Sequence, residues 1–187
     1  MVWFSCTATE CSQSSWRPYE CVWCPSRNRL GLEGHYRIVR DVRMGDIVLV
    51  APRRILLGVA RAASEAGVCT NVPAEVAGQY PKRPIMRIPL VGYQAFSQPL
   101  ELSTLFTDAG SIVREIEEQG PKYYLFSWER PNEFRPRGRL QFAQGRFLSP
   151  ATTNLLRILR AAMSESSRNL LDTFPATLGQ HSAPFSS

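Results

Sequence analysis

Two short apolar runs separated by a pair of arginines constrain the fold of this chain more than any other feature. Ile47–Val50 and residues 55–60 are rich in β-branched and other apolar side chains, and each run is shorter than an ordinary helix. Arg53 and Arg54 lie between them in a predicted hairpin loop. Gly58 interrupts the second run, which is typical of a strand with a bulge or a closely packed neighbour. The pattern therefore predicts two buried strands joined as a hairpin.

Further short strands are expected along the chain. Each is an apolar or aromatic run bounded by polar or turn-forming residues. Pro89 favours a sheet edge for its strand, because proline has no N–H to donate to a neighbouring strand. These additional strands are predicted at residues 2–7, 86–91 and 123–128.

The helical signals are fewer. Ser111 suits the N-cap of a short helix over residues 112–117. The clearest helix is predicted to start at Ser149-Pro150, because apolar side chains recur at helical spacing beyond it. Residues 67–84 contain three prolines and are expected to form a loop.

Several short strands with few helices predict an α+β fold. The expected architecture is a small, twisted, partly closed β-barrel with flanking helices and a C-terminal helix. One domain is expected over residues 1–163. From about Ser164 onward the pattern dissolves into Ser, Asn and Pro, so residues 164–187 are predicted to be a flexible tail or linker.

The charge balance admits two explanations. The 22 basic residues exceed the 16 acidic ones, and only Lys82 and Lys122 are lysines. Arginine binds phosphate and guanine through its planar fork and stacks on bases, so arginine-rich basicity favours a nucleic-acid partner. A GC-rich genome that encodes arginine in place of lysine would produce the same composition. Composition alone does not separate the two.

The sequence offers little for catalysis or for membrane insertion. It has no phosphate-binding glycine loop, no His-Glu-x-x-His motif and no nucleophile elbow, and its only histidines are His35 and His181. We therefore expect a protein that is not an enzyme and needs no cofactor. No run resembles a membrane helix and residues 1–6 lack the basic start of a signal peptide, so the expected location is cytoplasmic with no membrane partner.

Four cysteines in the first part of the chain raise the possibility of zinc. Cys6, Cys11, Cys21 and Cys24 include a C-x-x-C pair, and four thiolates satisfy a tetrahedral zinc ion. However, a strand through Val22 and Trp23 would point Cys21 and Cys24 to opposite faces. Reduced, partly buried thiols and no metal site are therefore the preferred interpretation.

Four short motifs follow one another in the first third of the chain. They are an apolar strand at residues 2–6, the sequence VWCPSRN at residues 22–28, the Gly45-Asp46 turn into a strand, and LGVA at residues 57–60. This order resembles the EVE and YTH branches of the PUA-like superfamily, small β-barrels that bind modified nucleobases. The match covers about residues 2–62. Residues 120–160 are similar to the C-terminal part of EVE-like modules attached to prokaryotic modification-dependent restriction enzymes.

The resemblance implies a pocket for one extruded base. In these families an early tryptophan motif forms part of an aromatic pocket, and Trp23 matches it; a core tryptophan is the alternative interpretation. Stacking of a base on an aromatic ring contributes about 1–3 kcal/mol. The family's second cage tryptophan is absent, and Tyr93 is nearest to its position, with Trp16, Tyr19 and Trp128 as other candidates. The expected base-binding residues are Trp23, Ser26, Asn28, Thr7, Thr9, Glu10, Trp16 and Tyr93.

An arginine-rich segment is the candidate for phosphate binding. Residues 130–146 contain five arginines against one acid, Glu133, with phenylalanines between them. The pattern is typical of a loop that holds a nucleic-acid backbone, and a solvated basic loop is the alternative. The expected phosphate-binding residues are Arg27, Arg29, Arg53, Arg54, Arg130, Arg135, Arg137 and Arg139.

These inferences predict a non-catalytic DNA-binding reader. It is expected to capture a flipped 5-methylcytosine or N6-methyladenine in methylated duplex DNA and to direct a fused or separate nuclease or ATPase, as in restriction-modification. Two alternatives stay open: a modified-RNA reader of the same fold, and a zinc-stabilised protein-interaction domain.

Overall fold

The computed structural model describes residues 1–6, 20–26, 34–72, 74–79, 84–119, 124–134, 136–143 and 148–177. The strands are β1 Val2–Ser5, β2 Cys21–Pro25, β3 Ile47–Val50, β4 Ile55–Ala62, β5 Gly67–Cys69, β6 Ile85–Glu101, β7 Phe126–Glu129, β8 Arg139–Phe142 and β9 Leu148–Pro150. The α-helices are α1 Ala74–Gln79, α2 Ala109–Gln119, α3 Thr153–Ala162 and α4 Glu165–Thr177. Shorter 3-10 helices cover Gly34–Asp41, Pro52–Arg54 and Leu102–Asp108.

The main sheet has seven strands and curls into a partly open half-barrel. Its strand order is β2-β6-β4-β3-β1-β9, and β5 pairs with the first part of β6. β1 and β3 are parallel, while the other pairs are antiparallel. β7 and β8 form a separate hairpin. The α+β class and the curled sheet predicted from the sequence are confirmed at this level.

Successive residues of a strand point to opposite faces of the sheet, and apolar side chains are buried on both faces. Phe4 and Leu49 face the larger core, which also contains residues of α2, α3 and α4. Their chain neighbours Trp3 and Val48 face the second core, beneath Gly34–Asp41. Among the described residues, no helix is long and apolar enough to cross a membrane.

The predicted hairpin of β3 and β4 is confirmed, and Gly58 has the expected role. The register between β4 and β6 shifts beside Gly58, as at a bulge. A Cβ at this position would overlap the carbonyl oxygen of Gln94 and lie 2.8 Å from the ring of Tyr93. Only glycine permits so close an approach between these two strands.

The prediction that Pro89 lies in an edge strand is wrong. β6 is paired on both sides, with β2 along one side and with β5 and then β4 along the other. The Leu90 N–H donates to the Glu20 carbonyl on the β2 side, so the nitrogen of Pro89 faces the opposite side. There the register with β4 ends at Ala62, and the Ala63 N–H beyond it donates to the Pro89 carbonyl at 2.9 Å, so proline removes only the return bond of this last pair. Proline is therefore accommodated inside the sheet.

The predicted tail from Ser164 is wrong over Glu165–Thr177, which form α4. Leu171 and Phe174 of this helix are buried in the larger core, and Phe174 is fully buried. The amphipathic signal is weak in the sequence because only a few residues of α4 face inward. The loop predicted for residues 67–84 is also partly wrong, since it contains β5 and α1.

Two predicted helix starts are shifted in the structure. α2 begins at Ala109, so Ser111 lies inside it and its hydroxyl bonds Asn154 Oδ1 at 3.1 Å. α3 begins at Thr153, with Thr152 as N-cap: its hydroxyl accepts a hydrogen bond from the Leu155 N–H. The preceding residues 148–150 form β9 instead of the first turn.

Candidate nucleic-acid interface

Trp23 lies in the interior of the described structure. It sits in β2 opposite Arg87 of β6, and its side chain is 7% exposed. The ring belongs to a small apolar cluster with Cys21, Val76 and Ile85. The guanidinium carbon of Arg87 is 5.6 Å from the ring centroid, a cation–π distance. In this conformation the indole is covered by α1 and β6.

The structure separates Trp23 from Tyr93. Tyr93 is six residues beyond Arg87 on β6, which is about 20 Å along an extended strand. Its hydroxyl donates to the Leu57 carbonyl at 3.3 Å, and its ring packs against Gly58 and the second core. The two rings therefore do not face one another across a single slot.

Ser26, the third described member of the expected base pocket, directly follows β2. It is 8% exposed, and its N–H donates to the Pro84 carbonyl at 2.9 Å. The remaining expected base-binding residues, Thr7, Thr9, Glu10, Trp16 and Asn28, lie outside the described residues, as do Arg27, Arg29, Arg135 and the candidate Tyr19.

The described thiols of the cysteine motif are dispersed. Cys21 belongs to the Trp23 cluster, whereas Cys24 is buried in the second core on the other face of β2. Cys6 packs against the larger core. Burial raises the pKa of Cys6 and of Cys24 to about 12, which keeps both as neutral thiols. This arrangement does not place Cys6, Cys21 and Cys24 around one ion.

The turn between β3 and β4 carries two arginines in an unusual conformation. The Ile55 N–H donates to the Pro52 carbonyl, and Arg53 and Arg54 have φ angles of 53° and 65°. Both lie in the left-handed region of a type I′ turn, where Asn-Gly is the favoured pair. An arginine in this region costs about 1 kcal/mol relative to glycine.

Arg54 connects this turn to the β7–β8 hairpin. Its guanidinium carbon lies 4.4 Å from the centroid of the Phe142 ring. Phe142 is held in turn by Phe126 and Phe106, whose ring centroids are 5.1 Å and 5.3 Å away. Two arginine-bearing segments far apart in sequence thus lie side by side.

The β7–β8 hairpin carries the other described members of the expected phosphate-binding set. Arg130, Arg137 and Arg139 are exposed. Arg130 forms an ion pair with Glu117 of α2 at 3.7 Å, and solvent screens it because both side chains are largely exposed. Phe134 near the hairpin tip is 84% exposed. We call Arg53, Arg54, Arg130, Arg137 and Arg139 the arginine surface.

Trp128, a candidate for closing the base pocket, belongs to this hairpin instead. Gly138 has a φ of +61°, and the Trp128 ring packs so closely on it that a Cβ would overlap the ring. The ring is partly buried against the larger core. It stabilises the hairpin and lies in a different apolar cluster from Trp23.

A polar cluster between α2 and α3 was not predicted from the sequence. Glu115 is 7% exposed, and its Oε2 accepts hydrogen bonds from the Tyr124 hydroxyl at 2.5 Å and from Asn154 Nδ2 at 3.0 Å. Burial, and then the hydrogen bond to Glu115, raise the pKa of Tyr124 well above its usual value of 10.0. Glu115 stands at an apolar position of its helix, the one local signal for such a site.

No protein-family model matches this chain, and no curated protein matches it either. The chain is similar in structure to the protein Rpa0253 from Rhodopseudomonas palustris, solved by NMR, with 12% sequence identity and a TM-score of 0.42. The alignment covers 84% of this chain and 88% of that chain.

Proposed function

We propose that this protein is a non-catalytic module that binds DNA through the arginine surface. The observation that carries the proposal is the turn at Arg53 and Arg54, where two arginines occupy the left-handed conformation. Backbone strain of this kind is concentrated at positions where the side chains have a function. A guanidinium group pairs with phosphate oxygens through two parallel hydrogen bonds, which suits arginine to this role.

The neighbouring hairpin supports the same function. Arg137 and Arg139 are exposed beside Phe134, whose ring is accessible to a partner. Arginines that bind phosphates position the backbone, and an exposed aromatic ring offers a stacking surface for an unpaired base. The partly open curled sheet is in keeping with the PUA-like barrel that the sequence motifs resemble.

The finer proposal is recognition of a flipped modified base, 5-methylcytosine or N6-methyladenine, by a PUA/EVE-like fold that directs a nuclease. Trp23 supplies a wall of the pocket in this proposal. Because Val76 of α1 packs in the same cluster, entry of a base requires α1 to move away from the ring.

Binding to DNA is tested by titrating a fluorescent duplex at several salt concentrations. Arg137→Gln together with Arg139→Gln is expected to weaken binding and to lower the salt slope by about one for each phosphate that is no longer neutralised. Arg160→Gln, which lies in α3 and outside the arginine surface and is already paired with Asp172, is the control. The proposal would be overturned if binding did not depend on salt, or if the double variant bound DNA as tightly as the wild type. Tighter binding of RNA than of DNA of the same sequence would also overturn it.

Base reading is tested separately with duplexes that differ only in one 5-methylcytosine or N6-methyladenine. Preference for a modified duplex is expected, and Trp23→Phe should reduce it with less disturbance of packing than an alanine would cause. Trp128→Phe is the matched control. Equal affinity for all duplexes would reject base reading and leave the DNA-binding proposal intact.

A further inference from the structure

A cavity of about 730 Å³ opens between α2 and α3, and neither Trp23 nor any residue of the arginine surface lines it. Every residue that lines it has a polar side chain, which favours a ligand with polar groups. The volume is in the range of small-ligand sites in proteins. The lining residues are Ser111, Arg114, Glu115, Glu118, Thr152, Thr153, Asn154 and Arg157.

The floor of the cavity holds a buried carboxylate. The hydrogen bonds from Tyr124 and Asn154 to Glu115 both end on Oε2. Among the described residues, Oε1 is therefore left to the cavity that Glu115 lines. A buried carboxylate is costly unless its oxygens are paired, and neutral donors satisfy it only in part. A cationic donor such as an ammonium group would complete its coordination.

The guanidinium of Arg157 also lines the cavity, and it forms an exposed ion pair with Asp108. Arg157 Nη2 lies 3.0 Å from Asp108 Oδ2 and 3.1 Å from Asn154 Oδ1. Asn154 therefore links the arginine to Glu115, because its amide nitrogen donates to the carboxylate while its oxygen accepts from Arg157 and Ser111. This network holds an anion-binding group and a cation-binding group in one fixed arrangement.

The first turn of α3 adds to the part of the cavity that attracts an anion. Thr152, Thr153 and Asn154 line the cavity at the N-terminus of this ten-residue helix. Backbone N–H groups and the helix dipole favour a negative group at this end. The lining as a whole has two arginines and two glutamates, so a ligand with one charge of each sign matches it better than an ion of either sign.

We propose that the α2–α3 cavity binds a small zwitterion that carries an ammonium group and a carboxylate, of amino-acid or dipeptide size. The ammonium group bonds Glu115, and the carboxylate bonds Arg157 beside the first turn of α3. The site is independent of the proposed DNA binding.

The test is a calorimetric and NMR titration of the full chain with the standard amino acids and with diglycine. Acetate and inorganic phosphate serve as anionic probes, methylammonium as a cationic probe and glucose as a neutral probe. At least one zwitterion is expected to bind, with shifts at α2 and α3 amides, while the other probes bind at least tenfold more weakly. The proposal would be overturned if no zwitterion binds, or if phosphate or glucose binds more tightly than every zwitterion.

Variants locate the site. Arg157 is exposed, so the Arg157→Gln variant should fold. The variant is expected to weaken zwitterion binding about tenfold or more, because a charged hydrogen bond is removed. Arg160→Gln on the same helix, whose partner is Asp172 outside the cavity, should leave the affinity unchanged. Glu115→Gln keeps the shape of the side chain and should abolish the preference for ammonium-bearing probes. Equal affinity of Arg157→Gln and Arg160→Gln would place the ligand elsewhere.

Discussion

The indole N–H of Trp3 donates a hydrogen bond of 2.8 Å to Oδ2 of Asp46, from the first strand to the turn that precedes β3. The same carboxylate accepts a hydrogen bond from the Arg43 N–H at 3.0 Å and pairs with the Met1 ammonium group at 2.7 Å. Asp46 thereby joins the beginnings of the parallel strands β1 and β3, which no tight turn connects. The Gly45-Asp46 motif thus has a structural function.

Replacing Asp46 by asparagine should lower the free energy of unfolding by about 1–3 kcal/mol at pH 7, because it removes hydrogen bonds to a charged group. Burial raises the pKa of Asp46, but the hydrogen bonds from Arg43, the N-terminus and Trp3 outweigh it and hold the pKa below its usual 3.8. The carboxylate therefore stabilises the fold fully above pH 3.8, and this contribution disappears as the pH falls through the lower folded pKa. Denaturant unfolding should show that the difference in the free energy of unfolding between wild type and Asp46→Asn disappears in that acid range. A difference that persists there would contradict the stabilising role of the ionised Asp46.

Changing Arg53-Arg54 to Asn-Gly should increase the free energy of unfolding by about 1 kcal/mol, because the new pair favours the left-handed turn. Removal of the cation–π interaction between Arg54 and Phe142 offsets part of this gain. DNA affinity should fall at the same time, so stability and binding change in opposite directions. Arg53→Lys with Arg54→Lys is the control that keeps the charges and the backbone cost. A less stable Asn-Gly variant would show that the turn is not strained.

Phe174→Ala should lower the free energy of unfolding by about 3–5 kcal/mol, since this fully buried ring belongs to the larger core. Asn169→Ala, at an exposed position of the same helix, should change it by less than about 0.5 kcal/mol. Thermal or denaturant unfolding measures both. Equal stability of the two variants would mean that α4 does not belong to the cooperative core.

Native Cys24 should resist a short pulse of iodoacetamide at pH 8, because burial raises the pKa of its thiol to about 12 and the thiolate is the reactive form. Cys69 is only partly buried and should be modified before Cys24. Mass spectrometry of digested protein gives the order, and denatured protein is the control in which the difference disappears. Rapid labelling of Cys24 in the native protein would contradict its position in the second core.

The candidate sites show different degrees of predictability. The arginines of the β7–β8 hairpin are visible in the sequence because charge and aromatic spacing are local properties. The contact between Arg54 and Phe142 is not visible, since it joins segments that only the packed hairpins bring together. The Glu115–Asn154 network was missed for the same reason, because its members come from two helices and the one local signal, Glu115 at an apolar position of α2, does not reveal its partner.

The sequence by itself determined the buried strands, the β3–β4 hairpin and the close approach at Gly58, because short continuous apolar runs and glycine geometry act over a few neighbouring residues. Only the tertiary structure decided that Pro89 lies inside the sheet, that Glu165–Thr177 form a core helix, and that Trp23 lies beneath α1. Each of these depends on which distant segment covers a given face. Which segment covers a given face is a property of the assembled chain and is not encoded within any one element.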